Sequence, residues 1–330
     1  MGKWPAFLDY LMTSRRIGAV LCSNSSYGYA ALPWLSVRHP GAACLDYIHA
    51  VEWGFRSGGY ARAAACARPF LDVTCVCNGF TRGELVHSFA FEPGRVRTVY
   101  AGVDETYFDP SAAPELPEAL RGDARRVVLY PSRLAPEKRP YLMLEIARRL
   151  PEYRFAVVGD GPLADEVQAE AQRLGLSDRI VWAGAQSDMR PWYRAAAATL
   201  ICSLREGLTL TTYESLAMET PVVSCAAGGQ GELVDDSVGR LIPLGQSADT
   251  EGTRTVEDSE AQAYADALRE VIGSEAYGEM CRACRERILG GFTLADMSRT
   301  LDGILGEVFA EDALCERRAR GGARAPAHTA

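Results

Sequence analysis

Along the second half of the chain, short apolar runs alternate with longer stretches in which apolar positions recur every three or four residues. That alternation marks βαβ units on a parallel sheet, because strands covered on both faces read as continuous Val, Ile and Leu. Runs at 126–130, 154–158, 179–182, 199–202 and 221–224 carry few charges and predict buried strands. Residues 162–174 predict a helix: Pro162 suits a first turn, Leu163, Val167, Ala171 and Leu174 share a face, and Gly175 follows as a stop. A less regular α/β pattern comes earlier, with strands predicted at 17–22, 44–49, 73–77 and 96–100. The stretch 109–123, rich in Pro and Ala, predicts a connection between domains with the boundary near residue 118. After about residue 311 the chain is rich in Gly, Ala and Arg without apolar period, which predicts a disordered tail. The expected organisation is a first domain at 1–118, a second at 119–310 and a tail at 311–330.

Composition narrows the class. The 330 residues suffice for two ordinary domains, and 48% apolar with 24% charged residues matches a soluble globular protein. A net charge of −8 gives no general attraction for nucleic acid, which is therefore not an expected partner. The longest apolar run, 195–204, is about half of what a membrane-spanning helix needs. The N-terminus lacks an apolar core followed by a small-residue cleavage site, so the expected location is the cytoplasm, with the inner membrane face open as a working surface. Trp4, Phe7, Tyr10, Arg15 and Arg16 are expected to cover the first sheet, a peripheral membrane contact being the alternative. Ten cysteines are too sparse for a disulfide scaffold, and reduced, buried thiols are expected. Cys281-x-x-Cys284 has no second pair beside it and reads as part of a helix rather than as a zinc or redox site.

Two segments carry candidate chemistry. In 205–223 a predicted strand leads through Gly207 into a helix, which puts Glu206 at the carboxyl end of a strand, where open parallel sheets bind ligands. Helix N-terminal amides at 207–211 favour an anion such as phosphate, and Glu214, one turn in, suits vicinal hydroxyls such as those of ribose. The competing reading is a capping box, Thr211-x-x-Glu214, which needs no ligand. The second segment, 130–140, presents Arg133 and Lys138 in a loop after a strand. Such a pair can neutralise a departing diphosphate, or be a solvated basic loop. No P-loop, H-E-x-x-H or D-x-D pattern is present, the Gly159-Asp160-Gly161 run lacks the full dinucleotide spacing, and no metal or other cofactor is expected.

Taken together, these residues resemble the retaining glycosyltransferases of family four. The resemblance rests on Glu206-x7-Glu214, Ser132-Arg133-Leu134-x3-Lys138, Gly159-Asp160-Gly161-Pro162, and Pro221-Val-Val followed by Gly228-Gly229-x-x-Glu232. It extends to Ala101-Gly102-Val103-Asp104-x3-Phe108 and to Tyr47-Ile48-His49, covering about residues 17–300. It implies an α/β, GT-B fold of two Rossmann-like domains facing a central cleft, and transfer of a sugar from a nucleotide diphosphate sugar, a substrate rather than a cofactor. Retention of configuration, no metal, and a hydroxyl acceptor on a sugar, glycan or lipid carrier belong to the same implication, as does a role in cell-surface polysaccharide or glycolipid synthesis. By the same resemblance Arg133 and Lys138 hold the diphosphate and Glu206 contacts the donor sugar. Glu214 binds the ribose, the Gly207, Leu208, Thr209 and Leu210 amides cradle phosphate and sugar, and His49 faces the donor sugar; read by position alone, His49 is a core histidine at a strand end. Thr209, Glu219 and Arg139 stand where the family usually has Gly, and Ala101 where it has Asn. The first glycine-rich loop and about two βα units are missing upstream, so an incomplete N-terminal domain is expected, its edge strand covered by a partner or a longer native start. The alternative function is a donor-binding or scaffold protein without transfer activity.

Overall fold

In the computed structural model, residues 4–51, 58–122, 124–245 and 256–310 are described. The chain divides into two compact units, Met1–Tyr100 with Met297–Ala330, and Ala101–Asp296.

The first unit comprises α1 (Trp4–Ser14), β1 (Ala19–Ser23), α2 (Ser26–Arg38), β2 (Ala43–Ile48), α3 (Gly59–Ala67), β3 (Val73–Val76), α4 (Gly79–Phe89) and β4 (Val96–Thr98). Its four strands are parallel in the order β1-β2-β3-β4. Strand β2 is buried throughout and its side chains alternate between two cores. Cys44 and Ile48 join Leu32, Ala64 and Leu85 of the helices on one face. Ala43, Leu45 and Tyr47 meet Ile304 and Val308 of the C-terminal helix α11 (Leu294–Phe309) on the other. Of α1 only Met12 is buried. Trp4, Phe7 and Tyr10 are exposed and do not cover the sheet as expected, because α1 presents just its Met12 side to the core.

The second unit runs β5 (Val127–Tyr130), α5 (Pro140–Arg149), β6 (Arg154–Val158), α6 (Ala164–Arg173), β7 (Ile180–Gly184), α7 (Arg190–Ala195), β8 (Ala196–Ile201), α8 (Leu210–Ala217), β9 (Val222–Cys225), β10 (Gly239–Ile242), α9 (Asp258–Gly273) and α10 (Tyr277–Leu289). Six parallel strands form a sheet in the order β10-β9-β8-β5-β6-β7. β5 and β9 are buried at every position, as their apolar runs require. Helix α5 covers the sheet with Leu142, Met143, Leu144 and Ile146, all fully or nearly fully buried; each such side chain contributes about 1.5–3 kcal/mol.

Each of the nine predicted strands forms, with ends shifted by no more than three residues. Strand β10 was not predicted: Gly239-Arg240-Leu241-Ile242 contains only two apolar residues, and it becomes a strand by pairing with β9. The units part after Tyr100 rather than near 118. The stretch expected to link two domains packs on the second: Ala113 and Leu120 join Trp192, Tyr193 and Met218, and Arg194 donates to the Ala113 carbonyl at 2.9 Å. The second unit also pairs its own ends, the Val103 amide donating to Phe292 O (3.1 Å) and the Leu294 amide to Val103 O (3.0 Å). The predicted tail at 311–330 lies outside the described residues.

Candidate functional site

Strand order places the site before any side chain is considered. From β5 the chain builds β6 and β7 on one side, then returns to lay β8, β9 and β10 on the other. Loops leaving the carboxyl ends of β5 and β8 therefore diverge, opening the crevice in which doubly wound sheets take their ligands. A cavity of about 220 Å³ lies there, lined by Ser132, Arg133, Lys138, Glu206, Thr209 and Thr211 among others.

The β5 loop takes its path from two close approaches. A Cβ on Gly159 or Gly161 would stand 2.2 Å from Ser132 O or 2.4 Å from Leu134 O, so only glycine admits this loop. The loop closes in a tight turn at Pro136–Lys138, and the Tyr130 hydroxyl donates to Lys138 O at 2.6 Å. Lys138 Nζ then donates to Glu206 Oε1 at 2.6 Å, the side chains being 26% and 11% exposed, which makes a charge-assisted bond at the floor of the crevice. Glu206 is held from behind: Gly228 is left-handed (φ 57°), a Cβ there would lie 1.8 Å from Glu206 O, and the Gly229 amide donates to Gly207 O at 2.6 Å. Arg133 is exposed and pairs with Glu137 one turn on. Burial works against the Glu137 carboxylate, yet its own backbone amide and Arg133 hold its pKa below the usual range.

Helix α8 starts two residues earlier than a capping box at Thr211 requires. Its N-cap is Thr209, whose hydroxyl accepts from the Thr212 amide at 3.1 Å, and Thr211 is already helical. The reading of Thr211-x-x-Glu214 as a capping box is thus corrected, and Glu214 is left for other work. Its Oε2 accepts from the Tyr193 hydroxyl at 2.8 Å, and burial raises its pKa. Tyr193 is itself buried and its pKa is pushed far up by burial. Beneath the N-cap, the fully buried Gln230 accepts from Thr212 Oγ1 (3.2 Å) and donates to Ser224 Oγ (2.9 Å), tying α8 to β9. Neither Tyr193 nor Gln230 was singled out from the sequence; a tyrosine in the six-residue helix Arg190–Ala195 and a glutamine after two glycines give no local signal.

The second unit so brings together Arg133, Lys138, Glu206 and Thr209, with Gly207, Leu208 and Leu210 in the same turn and Glu214 within α8. His49 belongs to the first unit. It follows β2 with its Nε2 3.0 Å from Ser23 Oγ and its ring 4.9 Å from that of Tyr47. Although exposed overall, its ring is desolvated enough by these neighbours to lower its pKa. Cys281 and Cys284 lie in α10, where Cys284 is buried and donates to Val238 O (3.6 Å). Among the described residues no three His, Cys, Asp or Glu side chains cluster in a way that could hold a metal. The described cysteines are all free, and no described helix is long and apolar enough to cross a membrane.

A parallel sheet whose order reverses beside an ion pair and a helix N-terminus defines a doubly wound, Rossmann-like α/β unit. The model of the family "Glycosyl transferases group 1" matches residues 114–288, just over half of the chain, and the chain belongs to that family. It is 32% identical over 238 residues to a D-inositol 3-phosphate glycosyltransferase of Mycobacteroides abscessus, covering 69% of this chain and 50% of that protein. The chain thus spans about half the length of this curated relative. Among solved structures, a glycosyltransferase from Rickettsia africae aligns with a TM-score of 0.75 at 18% identity, covering 93% of this chain and 81% of the other. Anabaena HepE in complex with UDP aligns with a TM-score of 0.74 at 16% identity, covering 92% and 82%. At these identities the structures speak for the fold, an α/β fold with parallel sheets like that of GT-B glycosyltransferases.

Proposed function

We propose that this chain transfers a sugar from a nucleotide diphosphate donor to a hydroxyl acceptor, with retention of configuration, as a member of family four. The observation that carries the reading is the crevice at the β5/β8 order reversal, with Lys138 and Glu206 at its floor and the α8 N-terminus on its wall. A diphosphate leaving group needs its growing negative charge neutralised. Lys138, with Arg133 at the rim, supplies that charge from a fixed loop, so no metal is required. Glu206 keeps Lys138 oriented and offers its second carboxylate oxygen to a sugar hydroxyl. Amides of Gly207, Leu208 and Leu210 face the distal phosphate, the Thr209 amide donating instead to Gln230 Oε1 at 3.5 Å, and Glu214, aligned by Tyr193, accepts from the ribose. His49 is assigned to the donor sugar on resemblance alone. No side chain is asked to act as general base, since the departing phosphate takes the acceptor's proton.

Support comes from the family membership, from the relative named for glycosyl transfer to inositol 3-phosphate, and from a similar fold solved with UDP. The acceptor is proposed to be a sugar, glycan or lipid-linked hydroxyl in cell-surface polysaccharide or glycolipid synthesis at the cytoplasmic side of the membrane. The test is calorimetric titration with a panel of nucleotide sugars, followed by sugar-transfer assays with and without EDTA and NMR of the product's anomeric proton. Transfer that survives EDTA and keeps the donor configuration is expected. An EDTA-sensitive reaction or an inverted product would overturn the mechanism, and binding without any turnover would overturn the enzyme in favour of a donor-binding protein.

A further inference from the structure

Of the 35 basic residues in this chain only two are lysines, Lys3 and Lys138. Lys138 is followed by Arg139, which caps α5 in the left-handed conformation (φ 56°), one that L side chains rarely adopt. Its side chain makes no cap bond. Instead the guanidinium runs into the protein and forms a fork with Glu260 of α9, Nη1 to Oε1 at 2.7 Å and Nη2 to Oε2. The side chains are 9% and 2% exposed, so this ion pair is sealed from solvent. Glu260 Oε1 also accepts from the Gly245 amide at 3.2 Å, and a Cβ on Gly245 would lie 2.7 Å from Oε2, so the turn after β10 is fastened to the same carboxylate. The Lys138 carbonyl takes the Tyr130 hydroxyl, and the Arg139 carbonyl is within 3.8 Å of Cys202 Sγ.

We propose that the buried Arg139–Glu260 fork is the positioning device for Lys138. The left-handed turn at Arg139 sends successive side chains in opposite directions. One goes inward to Glu260, and this anchors the backbone from which the other reaches Glu206. A glycine would adopt the same turn without strain and lose the anchor. A bidentate guanidinium–carboxylate pair fixes both distance and plane, which a lysine at 139 would not reproduce. This inference rests on the reading of the crevice as a donor diphosphate site for its effect on turnover, but not for its structural content.

The chain offers an unusual probe, because amine acylation in the native protein has only the N-terminus, Lys3 and Lys138 as targets. Removing one member of a buried ion pair strands the other, whereas replacing both with apolar side chains leaves stability nearly unchanged. The test therefore compares the full chain with Arg139→Met/Glu260→Met. Glu260→Gln is the second variant, since it keeps the volume and an acceptor for Gly245. A water-soluble N-hydroxysuccinimide acetate is applied and peptides are mapped by mass spectrometry. In the parent, Lys138 is expected to react about tenfold more slowly than Lys3. In both variants that gap closes to within about threefold, while kcat for sugar transfer falls about tenfold or more, the affinity advantage of a nucleoside diphosphate over its nucleoside shrinks, and nucleoside Kd stays within about threefold. Unchanged Lys138 protection in folded variants, or parental kcat alongside lost protection, would overturn the proposal. Lost protection in variants of a parent that neither binds a nucleoside diphosphate nor transfers sugar would leave the positioning role standing and sink the donor-site reading.

Discussion

Replacing Lys138 with Met removes the ammonium from the floor of the crevice while keeping most of the stem. A unit charge about 4 Å from a diphosphate oxygen, at an effective dielectric near 20, is worth about 4 kcal/mol. Measured losses of one preorganised charge at a developing anion run at roughly 3–4 kcal/mol, or about 100–1,000-fold in rate. The same change strands Glu206, whose carboxylate is 11% exposed and loses a 2.6 Å partner. That costs roughly 1–3 kcal/mol and lowers Tm by several degrees in a unit of this size. The two effects are separable. Lys138→Met/Glu206→Gln removes the stranded charge, so its Tm returns to the parental value while transfer stays at or below the level of the single variant. Initial rates at saturating donor, with Tm by calorimetry on the same preparations, read both. A Lys138→Met chain that keeps more than about a tenth of parental kcat would refute the assignment of Lys138 to the leaving group.

Three further outcomes follow from the geometry. Burial raises the Glu214 pKa, and only its carboxylate form accepts two ribose hydroxyls. Nucleotide affinity should therefore rise with pH through that titration and flatten in Glu214→Gln; parallel pH profiles would return Glu214 to a structural role. Gly228→Ala forces a Cβ to 1.8 Å from the Glu206 carbonyl at a φ of 57°, so transfer should fall at least about tenfold in a chain whose circular dichroism is parental, and intact transfer would show that the turn is not held as described. In the first unit, Asp46 is fully buried beside the Tyr29 hydroxyl, and burial lifts its pKa to about 7. The folded chain keeps a proton that the unfolded chain releases near pH 4, so stability falls as pH rises from about 4 to about 7 and stays lower above. Asp46→Asn, a mimic of the protonated form, should raise Tm by several degrees at pH 8 and leave it unchanged at pH 4; an equal shift at both pH values would contradict this.

Much of the second unit was legible because its strands are covered on both faces, so the runs at 126–130 and 221–224 announce themselves without context. Strand β10 has no such run and exists through its ladder with β9. Pro and Ala at 109–123 describe local backbone preference and say nothing of packing, which is why Ala113, placed before the expected boundary near 118, was not expected on the second unit's core. Within the site, Lys138, Glu206 and Glu214 could be picked by motif and edge position. The register of the α8 cap could not, since Thr209 and Thr211 both offer a hydroxyl ahead of the same helix. Partners that shape these groups lie far along the chain: Tyr193 is 21 residues from Glu214, and Glu260 is 121 from Arg139. Pairs at that separation leave no trace in local periodicity.

On the proposed reading, the β5/β8 crevice takes a nucleoside diphosphate through Lys138 and Glu214. Isothermal titration of the chain with nucleoside diphosphates and the matching nucleosides should show one-to-one binding of at least one diphosphate, a diphosphate increment over the nucleoside that shrinks in Lys138→Met, and nucleoside binding that weakens in Glu214→Ala. Absence of binding across the panel, or a diphosphate affinity that neither substitution alters, would contradict it.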